Sequence, residues 1–196
     1  MQQAVSSQDK RAAILDAALA VFSERGVDGV AVPEISARAR VATGTIYRYF
    51  SSKEALVNEL YREQKAALGR RLNEGVNHKA EPRELFADWW ARMVAFAREN
   101  PRAYRFLELQ DHRPYLDEAS LRLERSVLAP MSARVRRLQA QGVFRSDVRH
   151  EVMMAMTWGA FVNLFKAERD GFVKLTARDI AAARDSCWRM FVASDG

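Results

Sequence analysis

The sequence holds one cysteine, Cys187, among 196 residues. A single thiol cannot close an internal disulfide, so the fold rests on packing, and the chain suits a reducing compartment. With only five prolines and nine glycines, long stretches run uninterrupted, and they carry apolar residues at helical spacing rather than in the alternation of strands. No apolar run is long enough to span a membrane and no N-terminal signal peptide is present, so a cytoplasmic protein with no membrane partner is expected. Repeats and low-complexity tracts are absent. Excess positive charge is small: 31 Lys and Arg stand against 25 Asp and Glu, a net +6, and residues 1–55 carry seven against six. Binding to a polyanion must therefore depend on where cations are placed rather than on their number.

Catalytic equipment is lacking as well. His78, His112 and His150 are scattered, none has metal-ligand spacing with another His or Cys, and all three read as surface residues of loops or helix ends. There is no phosphate-cradling glycine loop and no G-x-S-x-G elbow. Cys187 lies among apolar neighbours in a helical stretch, where it reads as a buried inert thiol. No catalytic residue, metal site or cofactor is expected, and the chain is not read as an enzyme.

What is present lies mostly in the first sixty residues. Ile14, Leu15, Ala18, Val21 and Phe22 recur at helical spacing and Gly26 follows as a stop, which predicts a first helix over 9–25. A short helix over 32–39 has Pro33 in its first turn and Ile35 with Ala39 as its buried edge. The link 40–42 leads to a third helix over 43–50, giving helix-turn-helix proportions. In that third helix Ile46 and Phe50 are i,i+4 partners that point into a core, flanked by Thr43 and Tyr49. Gly44, Thr45, Tyr47 and Arg48 then share the outer face, which has groove-binding chemistry: no side chain at Gly44, hydroxyls at Thr45 and Tyr47, and a guanidinium able to fork onto guanine. Ser51 and Glu54 read as an S-x-x-E capping box that presents Lys53 at the start of the next helix, toward a phosphate. The expected DNA-contacting set is Thr43, Gly44, Thr45, Tyr47, Arg48, Tyr49 and Lys53.

These residues resemble the DNA-binding domain of the TetR family of bacterial transcriptional regulators. The resemblance rests on the run Ile14 to Ala18, on Phe22 with Gly26, on the 32–39 helix, and on Thr45-Ile46-Tyr47-x-x-Phe50-x-Ser52-Lys53-Glu54-x-Leu56. It is local, and beyond about residue 60 no signature continues. Arg40 stands where the family's turn often has Gly, and Ala31 and Ala42 stand where Ser or Thr often caps the two helices. A left-handed Arg40 costs roughly 1 kcal/mol and each missing cap about as much.

Downstream, helices are predicted over 53–73, 82–99, 102–110, 116–141, 148–169 and 177–192, making the fold class all-α. Arg113-Pro114 reads as a loop, and Pro130 should kink or split its helix. The expected division is a helix-turn-helix domain over 1–52 and a helical ligand-binding and dimerisation domain over 53–196. Residues 152–165 are apolar almost all round, so more than one side must be buried. Ala155, Gly159 and Ala160 would admit a second helix closely, and with Trp188 and Phe191 of the last helix they form the expected dimer interface. Trp89, Trp90, Met93, Phe96, Phe106, Leu107, Met156, Phe161 and Phe165 supply a largely aromatic and thioether surface for an apolar effector, although residues of these kinds at helical spacing are more often plain core. Glu108, Asp111 and Glu151 read as solvated or arginine-paired.

The expected function is that of a homodimeric repressor that leaves a pseudo-palindromic double-stranded DNA operator when a small apolar or amphipathic effector binds. One alternative is a ligand-independent architectural or division-control DNA-binding protein on the same scaffold. Another, from a different class, is a helical small-molecule binding module or enzyme whose N-terminal helices only pack.

Overall fold

The computed structural model describes residues 7–192; the outermost residues of both expected domains, 1–6 and 193–196, lie outside the described span. Among the described residues the order is α1 (Ser7–Arg25), α2 (Val32–Ala39), α3 (Thr43–Tyr49), α4 (Lys53–Asn73), α5 (Pro82–Glu99), α6 (Pro101–Leu109), a 3₁₀ turn (Arg113–Tyr115), α7 (Glu118–Ala140), α8 (His150–Arg169) and α9 (Ala177–Phe191). The all-α expectation holds, and the one β feature among these residues is an isolated bridge between Phe144 and Val192. Arg113-Pro114, expected as loop, starts the 3₁₀ turn. α7 is not split at Pro130: the helix continues through it, and the exposed position lets water take up what the missing N–H releases.

Two compact units emerge. One comprises residues 1–70 with 96–124, the other residues 71–95 with 125–196. Packing thus groups residues 53–70 and 96–124 with the first three helices, whereas the expected boundary at residue 52 follows the motif.

The first unit is built around α1, which packs against α2 and α6. Ile14, Ala18, Ala20 and Phe22 are fully buried, with Ile35, Ile46, Leu56, Leu60 and Phe106 completing the core. Two sides of α1 are therefore covered, which is why Ala17, Ala18 and Ala20 are small: each lets a neighbouring helix approach. Gly26 ends α1 at φ 74°, a conformation that strains any residue with a Cβ. A Cβ there would also come within 3.1 Å of the Gln110 Oε1, while the same side chain donates to the Ser23 carbonyl at 3.1 Å.

In the second unit Val135, Leu138, Phe144, Met153 and Phe191 form a core, with Phe86, Met131 and Trp188 packed on it. Gln139 closes the turn after α7 by donating to the carbonyls of Arg145 and Val148 at 2.9 and 2.8 Å. α9 starts with a full capping box, in which Thr176 Oγ1 accepts from the Asp179 N–H at 3.2 Å and Asp179 accepts from the Thr176 N–H at 2.9 Å.

Candidate nucleic-acid interface

The turn between α2 and α3 decides how α3 is presented. Arg40 adopts φ 55°, ψ 43°, the left-handed conformation its place after α2 demands. The Arg40 N–H donates to the Ala37 carbonyl at 3.2 Å and the Val41 N–H to the Ser36 carbonyl at 3.0 Å, the paired bonds of a Schellman stop. Ser36 links both helices: its hydroxyl donates to the Pro33 carbonyl at 2.8 Å and lies 2.9 Å from Thr43 Oγ1. Neither Ala31 nor Ala42 supplies a side-chain cap, but Glu34 compensates at the first by accepting from the Ala31 N–H at 2.9 Å. That bond, together with an ion pair to Arg25, holds the Glu34 carboxyl below the usual range.

α3 is anchored on one face and open on the other. Ile46 and Phe50 are buried as i,i+4 partners, while Gly44, Tyr47 and Arg48 are exposed and Thr45 is half-buried. Tyr47, at 52%, is among the most exposed large apolar side chains. Thr43 is occupied with Ser36, and the Tyr49 hydroxyl lies 2.9 Å from Ser7 Oγ, so both brace the helix while remaining only partly covered. A Cβ added at Gly44 would meet nothing within 4 Å. The protein's own packing gives no reason for a glycine there, although glycine destabilises a helix interior by roughly 0.5–1 kcal/mol.

The cap of α4 differs from the expected one. Ser52, not Ser51, precedes Lys53, and its Oγ accepts from the Ala55 N–H at 3.2 Å. The S-x-x-E spacing placed the box one residue early because α3 ends at Tyr49 and Phe50 is already extended, which leaves Ser51 in the turn and exposed. Lys53 still stands at the first position of α4.

The residues expected to hold an effector fall in both units. In the first, Phe96, Phe106 and Leu107 are buried, and Phe106 stacks on Phe22 with ring centroids 6.3 Å apart. In the second, Trp90, Met93, Phe161 and Phe165 are buried. Trp90 meets Phe161 edge to face at 5.3 Å, Phe161 packs on Phe165 at 4.7 Å, and Trp89 lies 6.4 Å from Trp158. The indole N–H of Trp90 is buried without a hydrogen-bond partner among the described residues. Met156 does not join this group: it is 50% exposed, on the outer face of α8 with Val152, Ala155 and Ala160, because the buried row of α8 runs at four-residue spacing through Met153, Thr157, Phe161 and Phe165. A shallow hollow of about 230 Å³ lies between α5 and α9, floored by Phe86 and Trp188 and rimmed by Arg83 and Arg184.

Of the expected interface residues, Ala155 and Ala160 are exposed and Gly159 half-buried, again with nothing within 4 Å of an added Cβ. Phe191 is instead buried in its own unit, 5.4 Å from Phe144 and 5.8 Å from Phe86, and Trp188 packs half-buried beside it. Cys187 is buried, and burial pushes its thiol up.

Two polar residues were misread from sequence. Glu108 is not solvated but pairs with Lys65 across 3.6 Å, both side chains more than nine-tenths buried. His112 is buried at 7% exposure rather than on the surface. It follows the end of α6, where no periodicity reveals which way a side chain turns. Asp111 and Glu151 are exposed, as expected.

Comparison with known proteins decides the family. Residues 14–60 match the family described as "Bacterial regulatory proteins, tetR family", and residues 61–192 match "Tetracyclin repressor-like, C-terminal domain". This chain belongs to the TetR family. A putative TetR family regulator from Vibrio parahaemolyticus has the same fold, with a TM-score of 0.76 and 26% identity over 94% of this chain and 100% of that one. Among curated proteins, the fatty acid metabolism regulator protein of Bacillus subtilis is 38% identical over 74 residues, 38% of each chain. The transcriptional repressor KstR of Mycolicibacterium smegmatis is 46% identical over 59 residues, 30% of this chain and 29% of that protein. The matched stretches thus span well under half of these curated relatives. Among the described residues no helix is long and apolar enough to cross a membrane, and no group of His, Cys, Asp and Glu could hold a metal ion.

Proposed function

We propose that this TetR-family chain is a homodimeric transcriptional repressor of the cytoplasm that binds a pseudo-palindromic operator and releases it when a small apolar or amphipathic molecule binds. The observation that carries the DNA reading is the outer face of α3. Gly44, Tyr47 and Arg48 are exposed together, and Gly44 has open space where a side chain would stand. In this reading Arg48 reads a base edge, Thr43, Thr45, Tyr47 and Tyr49 meet phosphates or base edges, and Lys53 neutralises a phosphate at the start of α4. The N-terminal residues 1–52 act as the reading head, and residues 53–196 dimerise and bind the effector.

Dimerisation is supported by α8, whose outer face offers Val152, Ala155, Met156 and Ala160 to solvent in the single chain. A second copy would cover these side chains, and Gly159 would let its helix approach. Two heads about 34–36 Å apart would then engage successive major grooves. An effector that favours another separation lowers DNA affinity in proportion to its differential affinity for the two states. The buried indole N–H of Trp90, among Phe86, Trp89 and Phe161, supports an amphipathic effector, because a carbonyl or hydroxyl on an otherwise apolar molecule would supply the missing acceptor. A genome-wide map of bound DNA tests the reading: one or a few sharp sites beside regulated genes are expected, and many dispersed sites would instead favour an architectural protein.

A further inference from the structure

Four rings stand in series through the first unit. Phe22 of α1 stacks on Phe106 of α6 at 6.3 Å and 22°, Phe106 stacks on His112 at 5.3 Å and 25°, and His112 packs tilted against Tyr61 of α4 at 4.9 Å and 45°. Phe22, Phe106 and Tyr61 are at most 1% exposed and His112 is 7% exposed. The column joins the central helix of the reading head to α4 and α6, and its one titratable ring at neutral pH is the imidazole. His112 Nδ1 is buried with no hydrogen-bond partner among the described residues. An imidazole nitrogen without a partner is a place where a proton can bind.

The surroundings decide which protonation state fits. From α4 the imidazole meets the Tyr61 ring and feels the Lys65 ammonium, and Lys65 is itself paired with Glu108 of α6. Glu124 of α7 and Asp111 beside the ring are the anions in range. Glu124 is already engaged, with Arg113 at 3.3 Å and with the Tyr61 hydroxyl, so it is not a free counter-ion for an imidazolium. Burial first, and Lys65 second, lower the His112 pKa from its ordinary 6.5 against the weaker opposing pull of a hydrogen bond to the Gln110 backbone, of Glu124 and of Asp111. A closed state with a lowered histidine pKa binds fewer protons than an opened one. The stability it confers is therefore complete above pH 6.5 and is lost as pH falls below it.

We propose that His112 is a proton-operated latch: neutral, it completes the ring column that supports α1, and protonated, it leaves the column and loosens the reading head, so that acidification weakens DNA binding. The test uses the full chain. Amide hydrogen exchange in α1, corrected for the intrinsic pH dependence, is compared at about pH 7.5 and about pH 5.5 for the natural protein and for His112→Phe, which keeps a ring and cannot titrate. Protection of the amides of residues 14–22 should fall about threefold or more in the natural protein and stay level in the variant. An equal fall in both, or none in the natural protein, overturns the latch. If His112→Phe does not fold, the NMR titration of the His112 imidazole in the natural protein decides, since a pKa at or above 6.5 contradicts it. DNA enriched from a random pool by the natural protein at the higher pH should bind more weakly at the lower pH, with His112→Phe insensitive. Failure to enrich any DNA would count against the repressor reading alone, leaving the exchange and NMR results to judge the latch.

Discussion

Ser120 donates its hydroxyl to Asn58 Oδ1 at 2.7 Å, and both residues are buried. The same Asn58 oxygen accepts from the Asp117 N–H at 2.8 Å, and its amide donates to the carbonyls of Tyr115 and Glu54 at 2.7 and 2.9 Å. One side chain on α4 thus pins the 3₁₀ turn and the start of α7. Replacing it leaves several polar groups without partners in a place water reaches poorly, each costing about 1–3 kcal/mol if unsatisfied. Asn58→Ala should destabilise the protein by about 2–4 kcal/mol in urea unfolding. A loss below about 0.5 kcal/mol would mean that water replaces the whole network.

Gly44→Ala separates folding from DNA binding. The site has room for a methyl group, so alanine should stabilise the free protein by roughly 0.5–1 kcal/mol through its helix propensity. The same methyl group stands on the face assigned to DNA, where it should weaken binding. Higher stability with unchanged affinity would remove Gly44 from the interface.

Arg40→Gly tests the strain in the turn. Relief of the left-handed conformation is worth about 1 kcal/mol, partly offset by the greater freedom of glycine in the unfolded chain. A small gain in the midpoint of thermal unfolding is expected, and a loss would show that the Arg40 side chain makes a stabilising contact.

Met156→Arg tests assembly. Met156 is half exposed in the single chain, so arginine there should be tolerated by the fold yet place a charge in a helix contact between copies. Sedimentation should show a folded monomer where the natural chain is a dimer. A natural chain that is already monomeric at micromolar concentration would contradict the dimer directly.

Much of this architecture is legible in the residues because its signals are local. α2 and α4 run over 32–39 and 53–73 as expected, since Pro33 and the polar start before Lys53 are punctuation read without knowing the fold. α6 and α7 begin one residue earlier and two residues later than expected, because Pro101 serves as a first-turn residue and Asp117 caps α7 by accepting from the Ser120 N–H at 2.8 Å. What periodicity could not reveal depends on contacts distant in sequence: the burial of His112 between Tyr61 and Phe106, the Lys65–Glu108 pair, and the inward turn of Phe191. Met156 and Phe161 look alike in sequence, and only the packing of α8 separates the outward residue from the inward one.

The central claim, that α3 reads DNA, is tested most directly by measuring Arg48→Ala and Lys53→Ala side by side on DNA enriched from a random pool by the natural protein. Arg48→Ala should cost about 1–3 kcal/mol on the enriched sequence and relax preference at one position of each half-site, while Lys53→Ala should weaken all sequences alike and flatten the salt dependence. Failure of the natural protein to enrich any sequence, or equal losses from both substitutions on enriched and random DNA, would contradict it.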